Sequence, residues 1–157
     1  MAKTTRATQF LEKAGIAFTT HVYEYDPTAE RIGLQAAEAI GEAPHRVLKT
    51  LMAELDGKPV CVVVPSDREV SMKKLAAAFG GKHAAMMKPA MAEKLTGYVV
   101  GGISPFGQKK TVPTAIEVAA LREDQVYING GQRGLQVRLA PADAQKALAA
   151  IAAPLVS

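Results

Sequence analysis

The stretch VLKTLMAELDGKPVCVVV, residues 47–64, sets the architecture of this chain. Asp56-Gly57 is a favoured two-residue hairpin turn, and the segments on either side of it are rich in strand-forming residues. Val47 and Leu48 begin apolar rows on opposite faces of the first segment. Because both faces are apolar, we predict a hairpin whose strands are covered on both sides.

Hydrophobic periodicity and turn residues predict the elements around this hairpin. Helices are predicted over residues 5–14, 34–40, 71–79 and 89–95, and a last helix begins at Pro141 and carries Ala144, Leu148 and Ile151 on one face. Strands are predicted over residues 18–25, 47–55, 59–64, 84–87, 98–100, 115–118, 125–129 and 135–139. Because helices and strands do not alternate regularly, we predict an α+β fold, with a curved, barrel-like mixed sheet and peripheral helices, in a single domain.

The composition is that of an ordinary folded protein without disulfides. Of the 157 residues 48% are hydrophobic, and the formal net charge of +4 permits a polyanionic partner without requiring one. Cys61 is the single cysteine, and its apolar surroundings indicate a small buried residue rather than a nucleophile. Residues 1–6 lack a signal-peptide pattern, and no apolar run is long enough to cross a membrane, so we predict a cytoplasmic protein.

Several classes of catalytic site are excluded by what the sequence lacks. The three histidines, His21, His45 and His83, form no closely spaced metal-binding pair, and one cysteine cannot complete a thiolate site. Neither a GxSxG nucleophile elbow nor a GxxxxGK(S/T) phosphate loop is present. We therefore expect neither a metal nor a cofactor.

A glycine-rich turn, GGISPFG at residues 101–107, precedes two cations, Lys109 and Lys110. Glycine allows positive φ and close backbone approach, and successive N–H groups in such a turn can bind an anion. A tight loop with a solvated basic end explains the same residues. The local sequence leaves both interpretations open.

Lys49 is a cation in the middle of a predicted strand. Either it lies at a sheet edge and its ammonium reaches water, or it points into a cleft where it can bind a carboxylate, a phosphate or a developing oxyanion. Thr50 beside it is a strand former that carries a hydroxyl. Tyr23 either lines a small pocket with its hydroxyl or packs as a half-exposed core aromatic.

Taken together, these segments resemble the YbaK/EbsC family of aminoacyl-tRNA editing proteins, and more narrowly its free-standing deacylases of Cys-tRNA(Pro) and Cys-tRNA(Cys). The most specific matching segments, in the family's order, are VLKTL at residues 47–51, TGYVVGGISP at 96–105 and GGQRGL at 130–135. The resemblance covers nearly the whole chain. It implies a barrel-like mixed sheet with helices around it.

The resemblance also implies which residues form the site. Catalysis is expected of Lys49 with the backbone N–H groups of Gly101 and Gly102. Contact with the substrate is expected of eight residues: Tyr23, Ile32, Thr50, Ile103, Ser104, Pro105, Asn129 and Gln136. Guidance of the tRNA acceptor end is expected of three basic residues: Lys109, Lys110 and Arg133. Solvated surface charge explains these three equally well.

The activity that the resemblance implies explains the missing nucleophile. The thiol of the misacylated cysteine attacks its own ester, so the protein needs only to hold the substrate and to stabilise the oxyanion. The implied partners are the aminoacyl-tRNA and prolyl-tRNA synthetase. Ile32, Asn129 and Gln136 depart from residues common in the family, at positions that border the pocket. Deacylation of Ala-tRNA(Pro) or another mischarged tRNA, and a non-catalytic domain that binds tRNA or a synthetase, are the alternatives.

Overall fold

The computed structural model describes residues 4–157, so residues 1–3 of the segment without a signal-peptide pattern lie outside the described residues. The helices are α1 (Arg6–Lys13), α2 (Ile32–Ile40), α3 (Met72–Ala78), α4 (Pro89–Thr96) and α5 (Pro141–Leu148), with short 3-10 helices at Pro44–Arg46 and Val118–Arg122. The strands are β1 (Thr19–Val22), β2 (Leu48–Leu55), β3 (Lys58–Pro65), β4 (Ala84–Met86), β5 (Thr114–Glu117), β6 (Val126–Asn129), β7 (Leu135–Leu139) and β8 (Ile151–Ala153). None of the helices that the structure describes is long and apolar enough to cross a membrane.

The hairpin predicted from residues 47–64 forms as β2 and β3. The two strands pair antiparallel along their full length, with Leu55 opposite Lys58 at the turn. They lie inside a five-stranded sheet with the order β4-β2-β3-β5-β8. Because β5 and β8 join in parallel, the sheet is mixed, as the sequence predicts.

Apolar side chains cover both faces of this hairpin. Leu48 and Met52 belong to one core cluster, whereas Val62 and Val64 belong to a second cluster on the other face. Cys61 is fully buried, and burial raises the pKa of its thiol to about 12. A thiol in this environment is inert, so the prediction that Cys61 is a core residue is confirmed.

A second sheet, with three antiparallel strands in the order β1-β7-β6, lies beside the start of β2. One parallel bridge between Val47 and Tyr127 links it to the larger sheet. Within the part of the chain that the structure describes, β1 and β8 each end a sheet and do not pair with one another. The mixed α+β fold is therefore confirmed, whereas closure into a barrel is not.

Several elements differ at their ends, and the strand predicted over residues 18–25 ends at Val22. Two further segments differ in type. Residues 98–100, predicted as a strand, form a loop, because the Tyr98 hydroxyl donates to the Phe106 carbonyl at 2.6 Å and folds the segment onto itself. Ile151, expected on the last helix, lies in β8. The reason is that Ala149 takes a left-handed conformation directly after α5 and turns the chain back to the sheet.

The carboxylate of Glu117 fastens the C-terminal segment to the sheet. It accepts hydrogen bonds from the N–H groups of Ala119, Leu155 and Val156 at 2.9, 2.7 and 3.1 Å, and the residue is 3% exposed. Burial alone raises the pKa of this carboxyl, but the three hydrogen bonds outweigh it, and the nearby Arg68 charge adds to them. The pKa of Glu117 is therefore lowered, which ties the stability of this region to pH.

Candidate active site

A cavity of about 430 Å³ opens where the two sheets meet. Its walls come from α2, the first half of β2, the end of β4 with the start of α4, the loop after α4, and β6 and β7. The volume falls within the range of roughly 300–1,000 Å³ found for small-molecule sites. The structure brings eight predicted site residues together in this lining: Tyr23, Ile32, Lys49, Thr50, Gly101, Ile103, Asn129 and Gln136.

Lys49 lies in β2 and lines the cavity. Val64 of β3 pairs with it on one side, and β4 pairs with β2 only from Ala53 to Leu55. Because the Lys49 side chain is only 20% exposed and lines the cavity, the structure supports the cleft alternative. The Lys49 Nζ atom lies 3.8 Å from Glu69 Oε1, and the two side chains are 20% and 69% exposed. Because the carboxylate partner is mostly in water, the pair is weak and leaves the ammonium available to an anionic ligand.

Helix α2 comes close to Lys49 because residue 33 is glycine. A Cβ atom at Gly33 would lie 2.7 Å from the Ser66 Cβ atom and 3.6 Å from the Lys49 Cβ atom. The Ser66 hydroxyl donates to the Pro44 carbonyl at 2.9 Å, so it is engaged in structure. Gly33 and Glu69 were not among the residues predicted from the sequence. Gly33 could have been identified from the sequence, because a glycine inside an alanine-rich helix costs stability and therefore suggests a special role.

Two backbone N–H groups of the glycine loop are free, but they are not the pair that was predicted. The Gly102 N–H donates to the Val99 carbonyl at 2.8 Å and closes a turn with Gly101 at a φ of 90°. The expectation that the Gly102 N–H faces the substrate is therefore wrong. Within residues 4–157, the N–H groups of Gly101 and Ile103 make no hydrogen bond, and both residues line the cavity.

Asn129 and Arg133 hold this loop by its carbonyl groups. Asn129 Nδ2 donates to the Gly101 carbonyl at 3.2 Å, while its Oδ1 accepts from the Gly131 N–H at 2.7 Å. Arg133 Nε donates to the Val100 carbonyl at 2.9 Å. The guanidinium also lies 5.3 Å from the centre of the Tyr25 ring, in cation–π geometry. These bonds fix the orientation of the Gly101 peptide.

Three buried polar atoms in the cavity lining have no hydrogen-bond partner among the described residues: Tyr23 Oη, Thr50 Oγ1 and Gln136 Oε1. Burial raises the pKa of Tyr23, and the neighbouring Gln136 side chain offsets part of the rise. Gln136 lies close enough to the Tyr23 hydroxyl to affect its pKa, but no hydrogen bond joins the two side chains. Tyr23 is therefore neutral at neutral pH, and unpartnered buried groups of this kind favour a bound ligand.

The sequence of this chain matches a known protein family. A family model described as the aminoacyl-tRNA editing domain matches residues 27–147. The match includes α2, Lys49, the glycine loop, β6 and β7. The chain belongs to the aminoacyl-tRNA editing domain family.

Individual relatives of this editing domain agree with the assignment. EbsC of Enterococcus faecalis, to which Cys-tRNA(Pro)/Cys-tRNA(Cys) deacylation is ascribed, is 36% identical over 121 residues, which are 76% of this chain and 74% of EbsC. The multifunctional Ser/Thr-tRNA deacylase ProXp-y of Escherichia coli K12 is 25% identical over 139 residues, 88% of this chain and 83% of that protein. A crystal structure of a protein assigned as a trans-editing enzyme for prolyl-tRNA synthetase has the same fold, with a TM-score of 0.82 at 21% identity over 99% of both chains. The predicted family is confirmed, and the chain is an aminoacyl-tRNA deacylase.

Several predicted residues of this editing domain lie outside the cavity lining. Ser104 and Pro105 are buried behind the loop, and the Ser104 Oγ atom accepts a hydrogen bond from the Phe106 N–H at 3.2 Å. Their predicted contact with substrate does not fit these positions, and they shape the loop instead. Lys109 and Lys110 are exposed and also lie outside the lining, so their role toward tRNA stays a prediction.

The lining of the editing site supplies positioning groups rather than a built-in nucleophile. It contains the cations Arg31 and Lys49, the carboxylates Glu30 and Glu69, two residues with free N–H groups and neutral hydroxyls, and it includes neither cysteine nor histidine. No group of three or more metal-binding side chains occurs within residues 4–157. Such a site can bind an ester and stabilise negative charge on its carbonyl oxygen.

Proposed function

We propose that this editing domain acts in trans on Cys-tRNA(Pro) and removes the cysteine with the substrate's own thiol as the nucleophile. One observation carries the proposal: the cavity combines a lysine and unengaged backbone N–H groups with hydroxyls that have no histidine beside them. A hydroxyl needs an adjacent base to become a nucleophile at neutral pH. A cysteinyl ester brings a better nucleophile with it.

The proposed reaction balances without a co-reactant other than water. The sulfur of the cysteinyl group attacks the ester carbonyl carbon, an S–C bond forms, and the C–O bond to the terminal ribose breaks. The electron pair stays on the ribose oxygen, which takes up the proton that the thiol loses. The tRNA leaves with a free hydroxyl group, and water then opens the cyclic thioester to give cysteine.

The protein's own groups have positioning and electrostatic roles in this scheme. Lys49 holds the 3′-terminal nucleotide through its ribose or phosphate and does not act as a base. The N–H groups of Gly101 and Ile103 stabilise the negative charge that develops on the carbonyl oxygen. Loss of one preorganised donor of this kind typically lowers the rate on the order of 100- to 1,000-fold.

The biological need follows from the sizes of the amino acids. A synthetase pocket that accepts proline cannot reject a smaller residue strongly, since one methylene contributes only about 1–3 kcal/mol of discrimination. A second, hydrolytic site is the usual remedy. In our proposal Tyr23 and Ile32 form walls of that site. Prolyl-tRNA synthetase supplies the tRNA selection, and Lys109 and Lys110 attract the acceptor end.

Single-turnover deacylation of Cys-, Ser- and Ala-tRNA(Pro) tests this function. Thiol assistance predicts that Cys-tRNA(Pro) is cleaved at least about 100-fold faster than the other two, because neither carries a thiol. Equal cleavage of the seryl or alanyl ester would support a water-based mechanism, and the alternative of another mischarged tRNA. Binding of tRNA without cleavage of any ester would support the non-catalytic alternative.

A further inference from the structure

The three unpartnered atoms in the cavity are the strongest unexplained feature of the molecule. Tyr23 and Gln136 are 7% and 4% exposed, and the Thr50 hydroxyl oxygen is itself buried. A buried polar atom without a partner destabilises the protein, because it loses its hydrogen bond to water and gains none in return. Three such atoms in one lining are therefore expected to be compensated by a ligand rather than tolerated.

The chemistry of the three atoms limits the ligand group that they fit. The Gln136 Oε1 atom only accepts hydrogen bonds, and the Tyr23 and Thr50 hydroxyl oxygens can accept as well as donate. All three oxygens accept hydrogen bonds, so a single ligand group that carries several N–H or O–H bonds can satisfy all three at once. The Lys49 ammonium makes no hydrogen bond to any of the three atoms, so it is not the missing donor.

An aminoacyl ester has one group with that property. Its carbonyl oxygen only accepts hydrogen bonds, and a cysteine side chain offers a single weak S–H donor. Its free α-amino group offers two N–H donors when neutral and three when protonated. We infer that Tyr23, Thr50 and Gln136 form a subsite that binds the free α-amino group of the aminoacyl ester.

This inference rests on the proposed function, and it adds a prediction about which tRNA esters the enzyme accepts as substrates. An acylated amino group keeps one N–H donor and gains a bulky carbonyl substituent, so it cannot satisfy the subsite. The enzyme therefore acts on aminoacyl-tRNA and spares tRNA whose amino acid is N-acylated, as in a peptidyl-tRNA. The thiol of an N-acylated cysteine is unchanged, so the selection does not come from the chemical step.

Binding of non-hydrolysable analogues tests the subsite separately from catalysis. The probes are 3′-cysteinylamino-3′-deoxyadenosine, its N-acetyl derivative, and the matching alanyl pair, measured by isothermal titration calorimetry. We expect N-acetylation to weaken binding on the order of 10- to 100-fold in both pairs, as lost hydrogen bonds predict. Binding of both members of each pair within about threefold would overturn the inference.

Two variants connect the effect to the named residues. Thr50→Val keeps the shape of the side chain, and Gln136→Leu removes the amide oxygen. Each is expected to weaken the free-amine analogues and to leave the N-acetyl analogues unchanged, whereas the control Gln125→Leu changes neither. Equal weakening of both members of a pair would show that the residues act through packing, and would contradict the inference.

The outcomes separate this inference from the proposed function. If the alanyl pair shows the expected dependence on the amino group but Cys-tRNA(Pro) is not cleaved, the subsite stands and the proposed substrate is wrong. If Cys-tRNA(Pro) and N-acetyl-Cys-tRNA(Pro) are cleaved at equal rates, the proposed substrate stands and the subsite is wrong.

Discussion

The side chain of Asn129 donates from Nδ2 to the carbonyl oxygen of Gly101 over 3.2 Å. The same side chain accepts the Gly131 N–H at 2.7 Å through Oδ1. One amide therefore connects the turn that follows β6 to the glycine loop, whose residues Gly101 and Ile103 line the cavity. Since both ends of the Asn129 amide are engaged, the residue positions the loop.

Asn129→Asp tests this positioning role. The variant keeps the oxygen that accepts from Gly131 and removes the donor to Gly101. We expect kcat for Cys-tRNA(Pro) to fall about 10- to 100-fold, the range expected when reacting groups are displaced by about 1 Å. KM should change little, because the residue does not bind the tRNA body.

Steady-state kinetics and thermal unfolding of the Asn129→Asp variant check the prediction together. An unchanged kcat would contradict the positioning role. A rise in KM at constant kcat would instead support the prediction from the sequence that Asn129 contacts the substrate directly.

Gly101→Ala tests the conformation of the glycine loop. Gly101 has a φ of 90°, and a Cβ atom there would lie 2.5 Å from the Tyr25 hydroxyl oxygen, so the loop must shift. We expect kcat/KM to fall on the order of 100-fold. Gly41→Ala is the matched control, because Gly41 has a φ of 73° but open space around it.

The control separates backbone strain from displacement of the loop. Gly41→Ala should lower the free energy of unfolding by about 1–2 kcal/mol and leave kcat/KM unchanged. Full activity of Gly101→Ala would show that the exact path of this loop is not needed for deacylation.

The central hairpin was predictable because its signals are local. Asp56-Gly57 specifies a turn, and apolar residues on both faces of β2 require cover on both sides. The failed assignments depend on distant contacts. Residues 98–100 have strand-forming side chains, but the hydrogen bond from Tyr98 to Phe106 folds them into a loop.

The residues that form the site could be predicted from the sequence, but their individual roles were harder to predict. Lys49 and Gly101 lie in segments that resemble a known family, and the structure brings them to one cavity. The engagement of the Gly102 N–H by Val99 could not be seen, because a sequence does not state which amides a turn uses. Glu69 was missed because an exposed glutamate has no local signal.

Glu69→Gln tests the electrostatics at the mouth of the cavity. Glu69 competes with the polyanionic substrate for Lys49, from which it lies 3.8 Å away. We expect the variant to bind tRNA about two- to fivefold more tightly, since an exposed pair contributes only about 0.2–1 kcal/mol. The exposed Glu12→Gln serves as the control for loss of one negative charge.

Filter-binding or fluorescence titration with tRNA(Pro) at low and high salt gives the comparison. An equal gain in affinity for both variants would show a general charge effect. A loss of affinity for Glu69→Gln alone would show that this carboxylate contributes to binding.

Glu117→Gln tests the buried anchor of the C-terminal segment. The lowered pKa of Glu117 means that its stabilisation is present above the unfolded-state pKa, near 4.5, and is lost as pH falls through the folded-state value. At pH 7 the variant should be less stable by about 1–3 kcal/mol, because its amide places a donor against backbone N–H groups.

Urea unfolding of both proteins from about pH 7 to about pH 3 follows the difference. The gap in the free energy of unfolding should shrink as the pH falls below about 4.5. A gap that stays constant over this range would mean that ionisation of Glu117 does not stabilise the fold.

Whether this cavity is the deacylation site is tested by the rate of Cys-tRNA(Pro) deacylation by Lys49→Ala, compared with Lys58→Ala as a control. Lys58 is exposed at the start of β3, far along the hairpin from the cavity. We predict that Lys49→Ala lowers kcat/KM at least on the order of 100-fold with an unchanged melting temperature, and that Lys58→Ala retains full activity. Wild-type activity in Lys49→Ala would contradict the assignment of this cavity as the deacylation site.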